Sequence, residues 1–369
     1  MQFSYRRTKM YNRVRLAKEH RCYQLCLYHS DLTPGAKPIV YVIDTLIYGV
    51  KSSGNQAERA IREIGKLCSE EFPRQNDIIQ NDLYVDDCIS GEDSLDIAQE
   101  VAEGLQEVLG KVGFHLKGVT FSGCDPPKHL SNYDLSINVA GSKWFPNLDL
   151  LSLRIGELNF GKKIRGKKSV QLAGLIPDEF TRTDCAAQVG EIFDLNGRVA
   201  PLIAEMKLDL RVLSKKGLDW KANVPIDLIP KWKENFDTIS QLRDFKFKRC
   251  IVPEDAVSLD MDTIEMGDSS LQLACSAIYV RFKRKNGQYS CQLVFGRTKL
   301  IPEGMSIPRG ELFAAVLTAT RGHVVGLALL QYIKNRLCLQ ILRLLYFGSP
   351  THVFLKRNGS EIGILKLNV

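Results

Sequence analysis

Two aspartates, Asp86 and Asp87, stand side by side in residues 81–91, NDLYVDDCISG. Ile78, Ile79, Leu83 and Val85 precede or flank them, and Cys88 and Ile89 follow. Carboxylates held that close repel one another unless a cation lies between them. Mg²⁺ prefers such oxygen ligands and is usually shared with substrate phosphates. A two-metal site of this type supports in-line phosphoryl transfer. A solvated acidic turn is the plainer alternative, and four residues alone do not exclude it. A second pair of acids lies far downstream. Asp268 precedes two serines, and Glu311 stands in Pro308-Arg309-Gly310-Glu311-Leu312. Taken singly, these read as a surface-turn Asp and a first-turn Glu favoured by the helix dipole.

The elements that must position these acids follow from the pattern around them. Alternating apolar residues predict a β-hairpin with Asp86 and Asp87 at its tip. Ser94 is placed to cap a helix running to about Leu109, with Leu95, Ala98, Val101, Ala102, Leu105, Val108 and Leu109 on one face. Gly110 and Gly113 end it, and residues 114–117 begin a strand. Upstream, residues 23–28 and 39–43 read as strands. A Gly/Ser loop, 49–54, then feeds a helix from Asn55 carrying Ala57, Ala60, Ile61, Ile64 and Leu67. Such a loop either meets phosphate through its amides or simply connects. The order is that of helices packed behind a small antiparallel sheet, an α+β layer. In the last third, residues 273–280 and 288–295 read as strands. Pro308 opens an Ala/Leu-rich helix over 313–319.

Composition bounds the class. With 369 residues, 44% hydrophobic and 25% charged, the chain has the profile of a globular protein of two or three domains. A net charge of +8 permits a nucleic-acid partner without demanding one. Ten cysteines without a CxxC pair and six isolated histidines argue against a zinc site or a disulfide framework. Reduced thiols fit an intracellular setting, cytoplasm or nucleus, and the polar start of the chain shows no secretory signal. The most apolar stretch, 324–333, is too short for a membrane span and reads as a buried helix. Residues 154–168 carry Arg154, Lys162, Lys163, Arg165, Lys167 and Lys168 against one acid, Glu157. That run is either a solvated loop or a place for backbone phosphates.

The motifs together resemble a known family. YGVKSSGNQA before YVDD and GFHLKG after it are similar to the reverse transcriptase palm of BEL/Pao-type LTR retrotransposons. Residues 181–201, TRTDCAAQVGEIFDLNGRVAP, resemble the helical segment after that palm, with residues 207–213, Trp220 and Trp232 fitting its continuation. Asp268 and Glu311 resemble the first two metal-binding acids of the family's ribonuclease H domain. The resemblance implies an α+β fold in three parts: a reverse transcriptase palm with its antiparallel sheet over 1–125, a helical connection over 126–255, and a partial ribonuclease H-like α/β domain over 256–369. It implies Mg²⁺ or Mn²⁺ on Asp86, Asp87, Asp268 and Glu311. It also implies RNA, DNA or an RNA–DNA hybrid as partner, with the 162–168 cluster as contact.

Two departures qualify the implied activities. In the family an Asp precedes the Lys9-Met10-Tyr11 stretch, whereas here Tyr5-Arg6-Arg7-Thr8 stands there, and no fingers precede it. Where the family's third nuclease acid belongs, this chain has Gly348 and Ser349. The expectation is a polyprotein fragment defective in both chemistries. An active polymerase completed by a partner or by upstream sequence is one alternative, and a domesticated, non-catalytic nucleic-acid-binding protein is another. An aspartic peptidase is rejected, because Asp44-Thr45-Leu46 and Asp268-Ser269-Ser270 lack the tight Gly turn.

Overall fold

A computed structural model describes residues 2–8, 11–29, 35, 37–84, 87–160, 175–342, 352–356 and 362–366. The chain divides into two compact units, Met1–Leu150 and Leu151–Val369. The class is α+β, as the element order requires.

The first unit holds β1 (Gln2–Thr8), β2 (Leu25–Tyr28), β3 (Ile39–Val42), α1 (Ser53–Leu67), α2 (Pro73–Asn81), β4 (Leu83–Tyr84), β5 (Asp87–Gly91), α3 (Leu95–Gly110), β6 (His115–Phe121), β7 (Ile137–Val139) and β8 (Ser142–Phe145). Its main sheet runs β4-β5-β1-β6, with β1 antiparallel to both β5 and β6. Phe3, Leu83 and Cys88 point from this sheet into a core shared with Ala57, Ile61, Ala98, Val101 and Leu105 of α1 and α3. The Ser94 hydroxyl accepts the Ile97 N–H at 3.3 Å and caps α3 as expected. Of the apolar residues before the acids, Ile78 and Ile79 belong to α2 rather than to the hairpin. Pro73 in the first turn starts a helix there, and both isoleucines are buried.

Beyond the junction strand β9 (Leu150–Leu153), the second unit holds α4 (Arg182–Gly190), α5 (Ala200–Lys215), α6 (Ile229–Leu242), β10 (Lys246–Lys248), β11 (Met261–Ser269), β12 (Leu273–Lys283), β13 (Tyr289–Leu300), α7 (Ile307–Ala328), β14 (Ile333–Leu342), β15 (His352–Lys356) and β16 (Ile362–Lys366). A reciprocal capping box between Thr181 and Asp184 opens α4. The helices pack on Trp232 and on Phe236, whose ring meets Phe160 and Phe180 at 5.0 Å centroid distance each.

The large sheet has the order β13-β12-β11-β14-β15-β16. β11 is antiparallel to β12 and parallel to β14, so the chain must cross over between β13 and β14, and α7 is that crossover. The inner side of α7 carries Gly310, Ala314, Thr318, Gly322 and Gly326, all buried at four-residue spacing. A Cβ on Gly322 would strike the Glu265 carboxylate, and one on Gly326 would lie 3.0 Å from Arg336 Nη1. The small ridge thus lets the helix lie on an ion pair between buried Glu265 and partly exposed Arg336 (Nε–Oε1 2.9 Å). This overturns the reading of 324–333 as a buried helix. Val324, Leu327 and Leu330 are exposed, because the small residues take the inward face, and α7 ends at Ala328.

Candidate active site

Asp268 is the penultimate residue of β11, on its exposed side, and its Oδ1 accepts the Ser269 N–H at 2.8 Å. Cys275 stands opposite on β12, and its thiol donates to the Asp268 carbonyl at 3.4 Å. Glu311 lies one turn into α7 and is buried, 5% exposed. The helix starts against the end of β11: a Cβ on Gly310 would come 3.0 Å from Ser269 Oγ. Cys275 reports on the resulting corner. Its thiol is pushed up first by shielding from solvent and then by the negative charges of Asp268 and Glu311, the bond to the Asp268 carbonyl opposing. Asp268 thus stands on the exposed face of β11, and Glu311 on the helix that covers the opposite face.

Among the described residues no group of three His, Cys, Asp or Glu is close enough to hold a metal ion. Gly348 and Ser349, at the expected place of the third acid, lie outside the described residues.

In the first unit Asp87 opens the second strand of a short hairpin. Leu83 pairs with Cys88 and Tyr84 with Asp87, leaving residues 85 and 86 between the strands. Asp86 itself lies outside the described residues. Asp87 is 8% exposed and faces away from the helices, into a cavity of about 90 Å³ shared with Ser4, Thr120, Lys117 and His129. Its Oδ2 accepts the Ala140 N–H at 3.3 Å. That donor is aimed by a two-residue turn between β7 and β8, where Ala140 (φ 45°) and Gly141 (φ 81°) both adopt the left-handed region such turns need. In register, the residue of β1 opposite Asp87 is Arg6. On the neighbouring strand, the place nearest the acid thus belongs to a basic residue rather than to a second carboxylate.

Lys162, Lys163, Arg165, Lys167 and Lys168 lie outside the described residues. Of the same run, Arg154 is exposed, and Glu157 pairs with Arg243 at 3.5 Å.

The sheet order with its crossover helix, and the places of Asp268 on β11 and Glu311 on α7, are the setting for the comparison with known proteins. Residues 181–343 match the Pao retrotransposon-like RNaseH-like domain. This Pao-type match runs from α4 to the end of β14 and contains Asp268 and Glu311, while Asp86 and Asp87 lie outside it. It meets the BEL/Pao resemblance read from residues 181–201 and from the Pro308–Leu312 motif. No curated protein matches the chain. Among solved structures the chain is similar to the foamy viral protease-reverse transcriptase in complex with RNA/DNA hybrid. The TM-score is 0.48 at 10% identity, over 88% of this chain and 36% of that one. The chain thus spans about a third of that protein's length.

Within the Pao-like region, sequence reasoning missed Cys275 and the Glu265–Arg336 pair. A cysteine in an apolar run carries no signal of its own. Glu265 sits three residues from Asp268 and looks like a second surface acid until Arg336 is placed beside it.

Proposed function

We propose that the chain is a Pol-type fragment that binds nucleic acid through a ribonuclease H-like site on Asp268 and Glu311 and a polymerase-like site on Asp87 with Asp86, and that it turns over neither substrate. The observation that carries this reading is the Pao-type match over 181–343, within which Asp268 ends β11 and Glu311 opens the helix that starts against that strand end. Two carboxylates suit a hard divalent ion, so Asp268 and Glu311 would hold Mg²⁺ or Mn²⁺. Such an ion supplies Lewis-acid stabilisation of phosphodiester oxygens.

What the chain's own residues contribute stops short of that chemistry. Glycine or serine at 348–349 adds no carboxylate, and the register position opposite Asp87 on β1 belongs to Arg6 rather than to an acid. Removing one charge-stabilising group from a preorganised site costs roughly 10²–10³-fold in rate. The proposed divisions at 125/126 and 255/256 separate palm, connection and nuclease-like part. The test is an RNA–DNA hybrid with Mg²⁺ or Mn²⁺: measurable association, with no RNA cleavage and no primer extension. Cleavage that disappears in Asp268→Asn, or extension that disappears in Asp87→Asn, sinks the inactive reading.

A further inference from the structure

A cleft of about 390 Å³ opens between α4, α5 and β13 in the second unit. That volume lies within the range of small-molecule sites, about 300–1,000 Å³. Val189, Ile192, Ile203 and Leu210 line it together with two cations, Lys207 and Arg297. Both reach solvent. Among the described residues no carboxylate pairs with either, although most lysines and arginines along α5 and α6 have partners, such as Lys215 with Glu303 at 2.7 Å and Lys216 with Asp227 at 2.9 Å. The one acid in the lining, Asp194, is occupied in the turn before α5, its two oxygens accepting the Arg198 and Val199 N–H groups at 2.9 Å each.

We infer that this cleft is a mononucleotide site, with a phosphate between Lys207 and Arg297 and a planar base against the apolar wall. Two like charges lining one cleft repel, and a dianion between them removes that cost while making charge-assisted hydrogen bonds. The repulsion registers on Lys207, whose ammonium is pushed below its ordinary range by partial burial and then by Arg297. The floor is rigid. Gly197, at φ 69°, meets Gly296 backbone to backbone so closely that a Cβ on either would collide, and the Gly296 N–H donates to the Asn196 carbonyl at 2.8 Å. A pocket whose floor cannot shift costs little to order on binding.

Titrating the full chain with AMP, adenosine and inorganic phosphate by calorimetry tests the assignment without hybrid or metal. AMP binds more tightly than either fragment, because phosphate lacks the apolar contact and adenosine the charge. Lys207→Gln and Arg297→Gln each weaken AMP by roughly tenfold, with an unchanged melting curve, since both side chains reach solvent. AMP affinity equal to that of adenosine or of phosphate overturns the inference. So does AMP binding that both variants leave intact, or no AMP binding at about 10 mM, tenfold above the roughly 1 mM of a weak site. These outcomes are independent of hybrid binding, so they separate this site from the nuclease-like corner.

Discussion

Glu265 and Cys185 show what burial does to a reactive side chain. Glu265 is 4% exposed, and Arg336 reaches it from β14, the parallel neighbour. Its carboxylate is therefore a strut between strands, and Gly322 lies over it. Gly322→Val forces that carboxylate aside, an overpacking cost of about 1–3 kcal/mol, which a chemical denaturation curve reads directly. A midpoint unchanged from the parent would mean that α7 does not rest on the pair. Cys185 sits in the helical core, and burial drives its thiol far above the usual range, Asp184 adding to the effect. Iodoacetamide at neutral pH is expected to label exposed Cys22 and Cys26 while sparing Cys185 until the fold is lost. Asp134 shows the opposite shift. Burial works against it, but the Ser136 hydroxyl and N–H and the Lys143 ammonium together hold its carboxyl below the ordinary value. A depressed pKa means that the 132–136 turn gains stability above the unfolded carboxyl pKa, and loses it as pH falls through the folded one. Thermal melts taken from neutral pH downward are expected to show that loss in the parent and less of it in Asp134→Asn.

Elements differed in how openly they declared themselves. The α3 helix was legible because Ser94 and a single apolar stripe agree, and the hairpin because Tyr84 and Asp87 sit at a strand reversal. Ser94→Ala should cost about 0.5–2 kcal/mol of stability, and Thr181→Ala at the α4 capping box a similar amount. Equilibrium unfolding checks both, and no loss at either would mean the caps are satisfied by water. The strand that matters most, β11, was not legible. Its buried side is Met261, Thr263, Glu265 and Gly267, while Ile264 and Met266 face outward, so a period-two reading of hydrophobicity picks the wrong face. Its inner residues are small or charged because α7 approaches so closely. The same approach turns Leu312, Val316, Val324 and Leu327 outward, and a reading that expects large apolar residues inside therefore misplaces them.

At the scale of the whole molecule, two acids at each site were readable as motifs, but their geometry depends on partners no local pattern reveals: Cys275 across a ladder, Ala140 on a distant turn, Arg6 in register with Asp87. The basic run at 162–168 remains a matter of sequence. If it carries hybrid binding, affinity falls steeply with salt, and changing Lys162, Lys163, Lys167 and Lys168 to Glu flattens that dependence by up to about 0.9 in log–log slope per lost phosphate contact. Fluorescence anisotropy across a salt series measures it, and a slope that does not move places the contact elsewhere. One earlier detail reaches further than its size. The helices and the large sheet are sewn together where Gly197 meets Gly296, with Thr298 Oγ1 donating to the Ala200 carbonyl at 3.2 Å and Arg211 to the Ile301 carbonyl at 2.8 Å. A chain severed between α6 and β11 therefore does not yield two free-standing pieces: each half would keep a glycine-lined scar of bare main chain, and a protease nicking the 249–260 linker should leave both halves migrating as one particle until denaturant parts them.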